Sequence, residues 1–251
     1  WMDEGINSYY ENRYMETRYP DAKLPARIEK FIGVNNWQHR DQNYYLYLLA
    51  ATNHIDQPMD LPAADYTETN YGTIVYFKTA EVMLYLESYL GTATYDSLMH
   101  VFFEKNKFTH VYPEDMKKYF EDATKKNLDW FFEDELNTTE QLDYKISGGK
   151  DTTVIGGKVF RKLEIKNCYN IRAPYSISSI KNGVVENTIW YNGFRGKMEV
   201  LFPDGDYDKW KIDALKQIPE TNRNNNTLRK NGMFRQTEKL HLQFAGTLPE
   251  G

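Results

Sequence analysis

The side chains in this sequence that could take part in chemistry are an acid near the start and two tyrosines further on. Glu4 stands in the segment W-M-D-E-G at residues 1–5, and Tyr71 and Tyr76 stand in a mostly apolar segment at residues 71–80. A carboxylate can bind a metal ion, and a tyrosine hydroxyl can donate a hydrogen bond to a developing negative charge. By residue type alone, Glu4 also fits a first-turn acid that the helix dipole favours, and Tyr76 also fits a core or interface position.

The histidines form no metal-binding motif of the H-E-x-x-H type. No two of them are spaced four residues apart. The five histidines are His39, His54, His100, His110 and His241.

Helical periodicity extends from the start of the chain to about residue 136. The strongest predicted helix covers residues 71–90, where apolar residues recur every three or four positions and Gly91 provides a stop. Further helices are predicted at residues 25–32, 37–51, 95–103, 113–123 and 128–136. Short connections favour antiparallel packing. These helices must position Glu4, Tyr71 and Tyr76.

After residue 139 the apolar pattern changes to a period of two. Strands are predicted at residues 142–146, 159–165, 175–177, 184–190 and 198–202, with glycine-containing turns at 148–149, 156–157, 182–183, 192–193 and 204–205. This spacing is typical of an antiparallel β-sandwich. The sequence therefore predicts an α+β fold, with a helical half at residues 1–138, a β-sandwich at 139–221 and a polar tail or linker at 222–251.

Composition excludes several classes of protein. Hydrophobic residues make up 41% of the 251 residues and aromatic residues 15%, which is enough to build real cores. The 31 basic and 36 acidic residues are interspersed, so a nucleic-acid partner is not expected. The sequence contains no apolar run near the ~18 residues of a membrane span, so no transmembrane segment is expected.

Three motifs, taken in order, resemble the gluzincin zinc metallopeptidases of the aminopeptidase N family. The segment W-M-D-E-G is similar to the family's W-x-(N/D)-E-G helix, and residues 71–80 are similar to its Tyr-x-Lys-Gly helix. The segment L-D-W-F-F-E at residues 128–133 is similar to the family's W-F-F-x-Q-W segment. The resemblance covers roughly residues 1–200. It implies the helical part of a thermolysin-like catalytic domain followed by a β-sandwich.

The resemblance also implies an activity and the residues that support it. The full-length parent protein, of which we expect this chain to be a part, would be a zinc-dependent peptidase that hydrolyses peptide substrates with zinc-activated water. The family implies that it would be an aminopeptidase. Glu4 would be the third zinc ligand, Tyr76 would stabilise the oxyanion, and Tyr71 would line the substrate pocket or serve as plain packing. Glu11 lies almost two helical turns after Glu4. It would hydrogen-bond a zinc-bound histidine, or be a surface acid.

The sequence departs from the family pattern at several positions. The H-E-x-x-H segment, with two zinc ligands and the general base, is absent from the sequence, so we expect it upstream of Trp1. We therefore expect this chain to be an inactive fragment, with zinc held only by the full-length protein. Thr79 replaces the family's glycine after Lys78, which we expect to crowd the substrate side. Lys78 itself could neutralise a carboxylate, but we interpret it as a solvated charge.

Two other interpretations stay open at this point. The chain has 20 tyrosines and 5 tryptophans, which could present a non-catalytic surface to a glycan or a protein. The parent could also be a pseudo-peptidase scaffold that keeps the fold without H-E-x-x-H. The richness in Asn, Tyr and Lys looks bacterial, and similar family members are often exported, so a periplasmic or cell-surface location is expected.

Overall fold

The computed structural model describes residues 1–20 and 39–231 of the chain. Contacts between residues divide it into two compact units, with the boundary between Thr139 and Glu140. The helix predicted at residues 25–32 lies outside the described residues, as does the start of the helix predicted at 37–51.

The first unit is built from helices. In chain order they are α1 (Glu4–Arg18), α2 (His39–Thr52), α3 (Glu68–Asn70), a first π-helix (Tyr71–Lys78), α4 (Thr79–Leu90), α5 (Thr92–Asn106), α6 (Pro113–Thr124) and a second π-helix (Trp130–Glu135). A short 3₁₀ turn (Ala63–Asp65) precedes α3. No helix in the described part of the chain is long and apolar enough to cross a bilayer.

Helix α4 forms the centre of the first unit. It is buried on nearly every side, because most of its residues are apolar. Helix α1 packs along it, and α5 follows it directly in the chain. Gly91 ends α4 with a φ of 85°, a backbone conformation that glycine adopts without a steric penalty. The predicted stop of this helix is therefore where the structure has it.

The second unit consists of two antiparallel sheets. Its strands are β1 (Tyr144–Ile155), β2 (Lys158–Asn167), β3 (Tyr175–Lys181), β4 (Val184–Tyr191), β5 (Lys197–Pro203), β6 (Lys209–Ile212) and β7 (Thr227–Arg229). The strand orders are β1-β2-β5 in one sheet and β4-β3-β6-β7 in the other. The predicted α+β fold, helical first and β-sandwich second, is confirmed.

The core of the second unit follows the predicted alternation. Every second residue at the start of β1 and in the second half of β2 is buried, as in a sheet with one face toward a core. The largest buried aromatic side chains here are Tyr144, Tyr175, Phe202 and Trp210.

One predicted turn lies inside a strand instead. Gly148 and Gly149 belong to β1, at a shift in its pairing register with β2 that falls between Gly148 and Thr152. Both glycines have positive φ values, 77° and 69°. An irregularity of this kind needs such backbone angles, so the glycines bend the strand rather than end it.

The polar segment that begins at residue 222 is not a loose tail throughout. Thr227–Arg229 forms β7, which pairs with β6 and sets Leu228 opposite Trp210. Asn226 is fully buried, and its side-chain amide donates to Glu220. The polar composition of residues 222–231 therefore reflects buried hydrogen bonding as well as contact with water, and β7 completes one sheet of the second unit.

Candidate functional site

Helix α1 lies very close to the first π-helix because Gly5 has no side chain. A Cβ atom added at Gly5 would lie 2.5 Å from the backbone oxygen of Val75 and closer still to the side chain of Thr79. Only glycine fits this approach. The close contact fixes the position of Glu4, the residue before Gly5, relative to the first π-helix.

Glu4 and Tyr76 lie next to each other. Hydrogen bonding between the Tyr76 hydroxyl and the Glu4 carboxylate is the main cause that raises the pKa of Tyr76 to about 12. Burial and the negative charge of Glu4 act in the same direction. Since the pKa lies far above neutrality, the Tyr76 hydroxyl keeps its proton and remains available as a donor.

Tyr71 stands beside Tyr76 in an edge-on arrangement. The two ring centroids are 5.9 Å apart, with an angle of 66° between the ring planes. Tyr66 adds a third ring 6.1 Å from Tyr71. The Tyr66 hydroxyl donates to the backbone oxygen of Met59 at 2.6 Å, which ties this ring to the preceding loop. The structure thus brings together Glu4, Tyr71 and Tyr76, all three of which are half-buried.

The pattern of exposure along the first π-helix repeats every five residues. Positions 71 and 72 are half-buried, 73–75 are buried, and 76 and 77 are half-buried again. The sequence predicted a regular helix with three- and four-residue spacing from 71 to 90, and this was wrong for the first eight residues. Single π-helical turns within longer helices occur frequently at functional sites.

Lys78 is buried, contrary to its interpretation as a solvated charge. Its Nζ lies 3.5 Å from Oε2 of Glu135, and the two side chains are 0% and 2% exposed. The same Nζ donates to the backbone oxygen of Glu135 at 3.3 Å and lies 5.7 Å from the ring centre of Tyr47. Burial raises the pKa of Glu135, while Lys78 lowers it. Lys78 therefore neutralises a carboxylate inside the first unit.

Thr79 does not crowd the exposed face of the site. Its side chain is fully buried and faces Gly5 of α1. Its hydroxyl donates to the backbone oxygen of Ile74 at 3.1 Å. The expectation that Thr79 hinders the substrate side was wrong, because the residue points toward α1.

Glu11 lies on α1 with an exposed side chain. A hydrogen bond from Glu11 to a zinc-bound histidine stays a prediction, because this chain contains no H-E-x-x-H segment.

A partly buried polar network attaches α1 to α4 and α5, and its residues were not predicted from the sequence. The Tyr9 hydroxyl donates to Glu87 at 2.8 Å, and Thr92 donates to the other oxygen of Glu87 at 2.7 Å. Arg13 donates to both carboxylate oxygens of Asp96, one of them at 2.9 Å. The signal in the sequence is Glu87, a lone acid in the apolar second half of α4, together with Tyr9 and Arg13 one turn apart on α1.

The donor atoms of the described residues match part of a zinc site. Among residues 1–20 and 39–231, no group of three or more His, Cys, Asp or Glu side chains could hold a metal ion. Glu4 offers the kind of carboxylate oxygen that zinc accepts, whereas structural and catalytic zinc sites use at least three protein ligands. These residues therefore do not form a complete zinc site by themselves, although Glu4 fits the chemistry of one ligand.

Comparison with known proteins identifies the family. The model of the peptidase family M1 domain matches residues 1–134, which include all three motifs described above. The chain therefore belongs to peptidase family M1, and the resemblance to the aminopeptidase N family is confirmed.

A solved structure is also similar to this chain. It is Legionella pneumophila aminopeptidase A in complex with aspartic acid, with 17% sequence identity and a TM-score of 0.48. The match covers 62% of this chain and 18% of that chain. No curated protein matches the sequence.

Proposed function

We propose that this chain is part of a zinc-dependent peptidase, of the aminopeptidase type, that hydrolyses peptide bonds. The single observation that carries the proposal is the position of Tyr76 next to Glu4, whose carboxylate acts on the Tyr76 hydroxyl, in a chain of peptidase family M1. This places the residue in the position of an oxyanion donor beside the residue in the position of a zinc ligand.

In this proposal Glu4 supplies one of three protein ligands. The other two would be the histidines of an H-E-x-x-H segment, which the 251 residues do not contain. Zinc held in this way acts as a Lewis acid and lowers the pKa of water toward neutrality. The chain described here would then have no peptidase activity by itself. Its location in the bacterial periplasm or at the cell surface stays a prediction from composition and family resemblance.

Tyr76 would contribute as a hydrogen-bond donor. Its raised pKa keeps the phenol protonated near neutral pH. Its position beside Glu4 would let the hydroxyl donate to the negative charge that develops on the carbonyl oxygen of a peptide near the proposed ligand. Tyr71 packs edge-on against Tyr76 and would form one wall of the peptide-binding surface.

The first experiment is a zinc measurement on the full-length protein. Elemental analysis would compare the protein with its Glu4→Ala and Glu16→Ala variants. Glu16 is the matched control, because it lies on the same helix but is exposed. We expect tightly bound zinc in the unmodified protein and in Glu16→Ala, and little in Glu4→Ala. Equal zinc in all three, or none, would leave Glu4 as a first-turn acid and favour a pseudo-peptidase scaffold.

The second experiment tests Tyr76 through kinetics. Tyr76→Phe removes the donor but keeps the ring, so kcat for a peptide substrate should fall by about 100- to 1,000-fold, as for loss of one oxyanion donor. Zinc content should stay unchanged. Tyr14→Phe is the control, since Tyr14 is exposed on α1. Unchanged kcat in Tyr76→Phe would remove Tyr76 from the mechanism.

A further inference from the structure

The contact between Tyr71 and Tyr76 depends on the π-helical register. In an α-helix, residues five positions apart point about 140° away from each other around the axis. In a π-helix the hydrogen bonds join residues five apart, so these residues lie on the same face. The backbone N–H of Thr79 donates to the oxygen of Ile74, five residues earlier, and so does the Thr79 hydroxyl. A change to α-helical register would separate the two tyrosines.

The π-helical form is the rarer one, so the surrounding structure must stabilise it. Lys78, its last residue, reaches inward to Glu135, which is the last residue of the second π-helix. Both the carboxylate and the backbone oxygen of Glu135 face the Lys78 ammonium, at 3.5 Å and 3.3 Å. The positive charge of Lys78 also acts on Asp56, a half-buried carboxylate whose pKa is raised mainly by its own burial.

Rotation of Lys78 away from this position would carry a severe electrostatic penalty. Glu135 is almost fully buried, and its Oε2 has no hydrogen-bond partner within normal distance in the described residues, so the ammonium at 3.5 Å is its main compensation. Removing one partner of a buried ion pair leaves an uncompensated charge. A slip of the first π-helix into α-helical register would turn Lys78 away and leave the buried Glu135 carboxylate without a compensating charge.

We propose that Lys78 and Glu135 are positioning residues, whose buried ion pair holds the π-helical register in which Tyr71 and Tyr76 face each other beside Glu4. The catalytic consequence of this register rests on the proposed peptidase function. The register itself belongs to this chain and does not depend on zinc.

The test uses 3-fluorotyrosine at position 71 in the 251-residue chain. When Lys78 and Glu135 are unchanged, Tyr76→Leu removes a ring whose centroid lies 5.9 Å from that of Tyr71. The fluorine signal of residue 71 should therefore shift clearly. The double variant Lys78→Met/Glu135→Leu removes both charges together, a replacement that buried ion pairs often tolerate without loss of stability. We expect this variant to remain folded and to lose most of the response to Tyr76→Leu.

Two controls separate positioning from general disturbance. Lys78→Arg keeps the buried cation, so it should keep the response. The exposed pair on α6 should also leave the response unchanged when replaced as Lys118→Met/Asp122→Leu. If the Lys78/Glu135 double variant does not fold, Glu135→Gln replaces it, since the amide keeps the shape and removes the charge. A full response in the folded double variant, or in Glu135→Gln when that replaces it, would overturn the proposal.

A kinetic measurement on the full-length protein distinguishes this proposal from the broader one. In the Lys78→Met/Glu135→Leu variant, Tyr71 and Tyr76 should be out of register, so kcat should fall more than KM rises. Lys78→Arg keeps the cation and should keep kcat close to that of the unmodified protein. The double variant could lose the fluorine response while the unmodified full-length protein has no peptidase activity. That result would support the positioning role and count against the peptidase function.

Discussion

Gly5 of α1 and Thr79 of α4 approach each other so closely that no side chain fits at position 5. This explains physically why a glycine follows the acid in the W-M-D-E-G segment. The acid must sit beside the first π-helix, and a Cβ on the next residue would push α1 away. Thr79 completes the contact with its methyl group, while its hydroxyl stays bonded to the backbone of Ile74.

The first prediction concerns this contact. Gly5→Ala places a methyl group 2.5 Å from the backbone oxygen of Val75, so α1 must shift, and the unfolding free energy of the first unit should fall by roughly 1–3 kcal/mol. Urea unfolding followed by hydrogen exchange of α4 amides measures this change.

Gly72 provides a matched control within the first π-helix. A Cβ added there meets no atom within 4 Å, so Gly72→Ala should leave stability unchanged or raise it by about 0.5–1 kcal/mol. A Gly5→Ala protein as stable as Gly72→Ala would contradict the packing described here.

The second prediction concerns the single loss of the Lys78 charge. Lys78→Met leaves Glu135 buried without its cation, so the first unit should lose about 3–5 kcal/mol of unfolding free energy. The same hydrogen-exchange measurement applies. Lys118→Met, at an exposed pair on α6, should leave stability nearly unchanged. Similar small losses for both variants would mean that water reaches Glu135.

Much of the fold was predictable because burial follows periodicity. The alternating pattern predicted strands at Ile146, Ile165 and Ile177, and all three residues are buried. This follows because a strand turns successive side chains to opposite faces. The same reasoning located α4 and its glycine stop. Such signals are local, and each can be read from a few neighbouring residues.

The parts that escaped prediction depend on partners distant in the sequence. Lys78 is buried because Glu135 lies 57 positions later, and a single lysine in an apolar segment does not reveal its partner. The π-helix escaped because an apolar segment of eight residues fits three- and four-residue spacing nearly as well as five. Strand β7 escaped because its neighbour Asn226 looks like a loop residue until Glu220 is known to bind it.

The hydrogen bond from Tyr9 to Glu87 gives the third prediction. Tyr9→Phe removes the donor but leaves the Glu87 carboxylate in the same buried surroundings, so the first unit should lose about 1–3 kcal/mol. Thermal and urea unfolding of the variant measure the loss. Tyr14→Phe on the same helix serves as the control, because Tyr14 is 54% exposed and should change stability by less than about 0.5 kcal/mol. Equal effects in the two variants would remove Glu87 from the anchoring of α1.

The fourth prediction concerns pH and the second unit, through Glu220. This carboxyl is fully buried and accepts hydrogen bonds from the backbone N–H of Tyr144 at 2.8 Å and from the Asn226 amide. Burial, and then the nearby negative charge of Asp213, raise the pKa of Glu220 to about 8. Asp143 adds to this effect.

The direction of the pH effect follows from this raised pKa. The folded state binds the Glu220 proton more tightly than the unfolded state, in which a glutamate has a pKa of about 4.3. The stabilising contribution is therefore complete below about pH 4 and is lost as pH rises to about 8. The loss should be on the order of a few kcal/mol, at about 1.4 kcal/mol for each unit of pKa difference.

Glu220→Gln isolates this contribution, because the amide cannot ionise and its carbonyl can still accept from Tyr144. Urea midpoints of β6 and β7, read by pulsed hydrogen exchange between pH 5 and 9, should fall with rising pH in the parent and much less in the variant. Glu186→Gln on β4 is the control, since Glu186 is exposed and its replacement should keep the parental slope. Because other carboxylates titrate mostly below pH 5, a slope between pH 5 and 8 that survives in Glu220→Gln would show that the proton taken up on folding is held elsewhere.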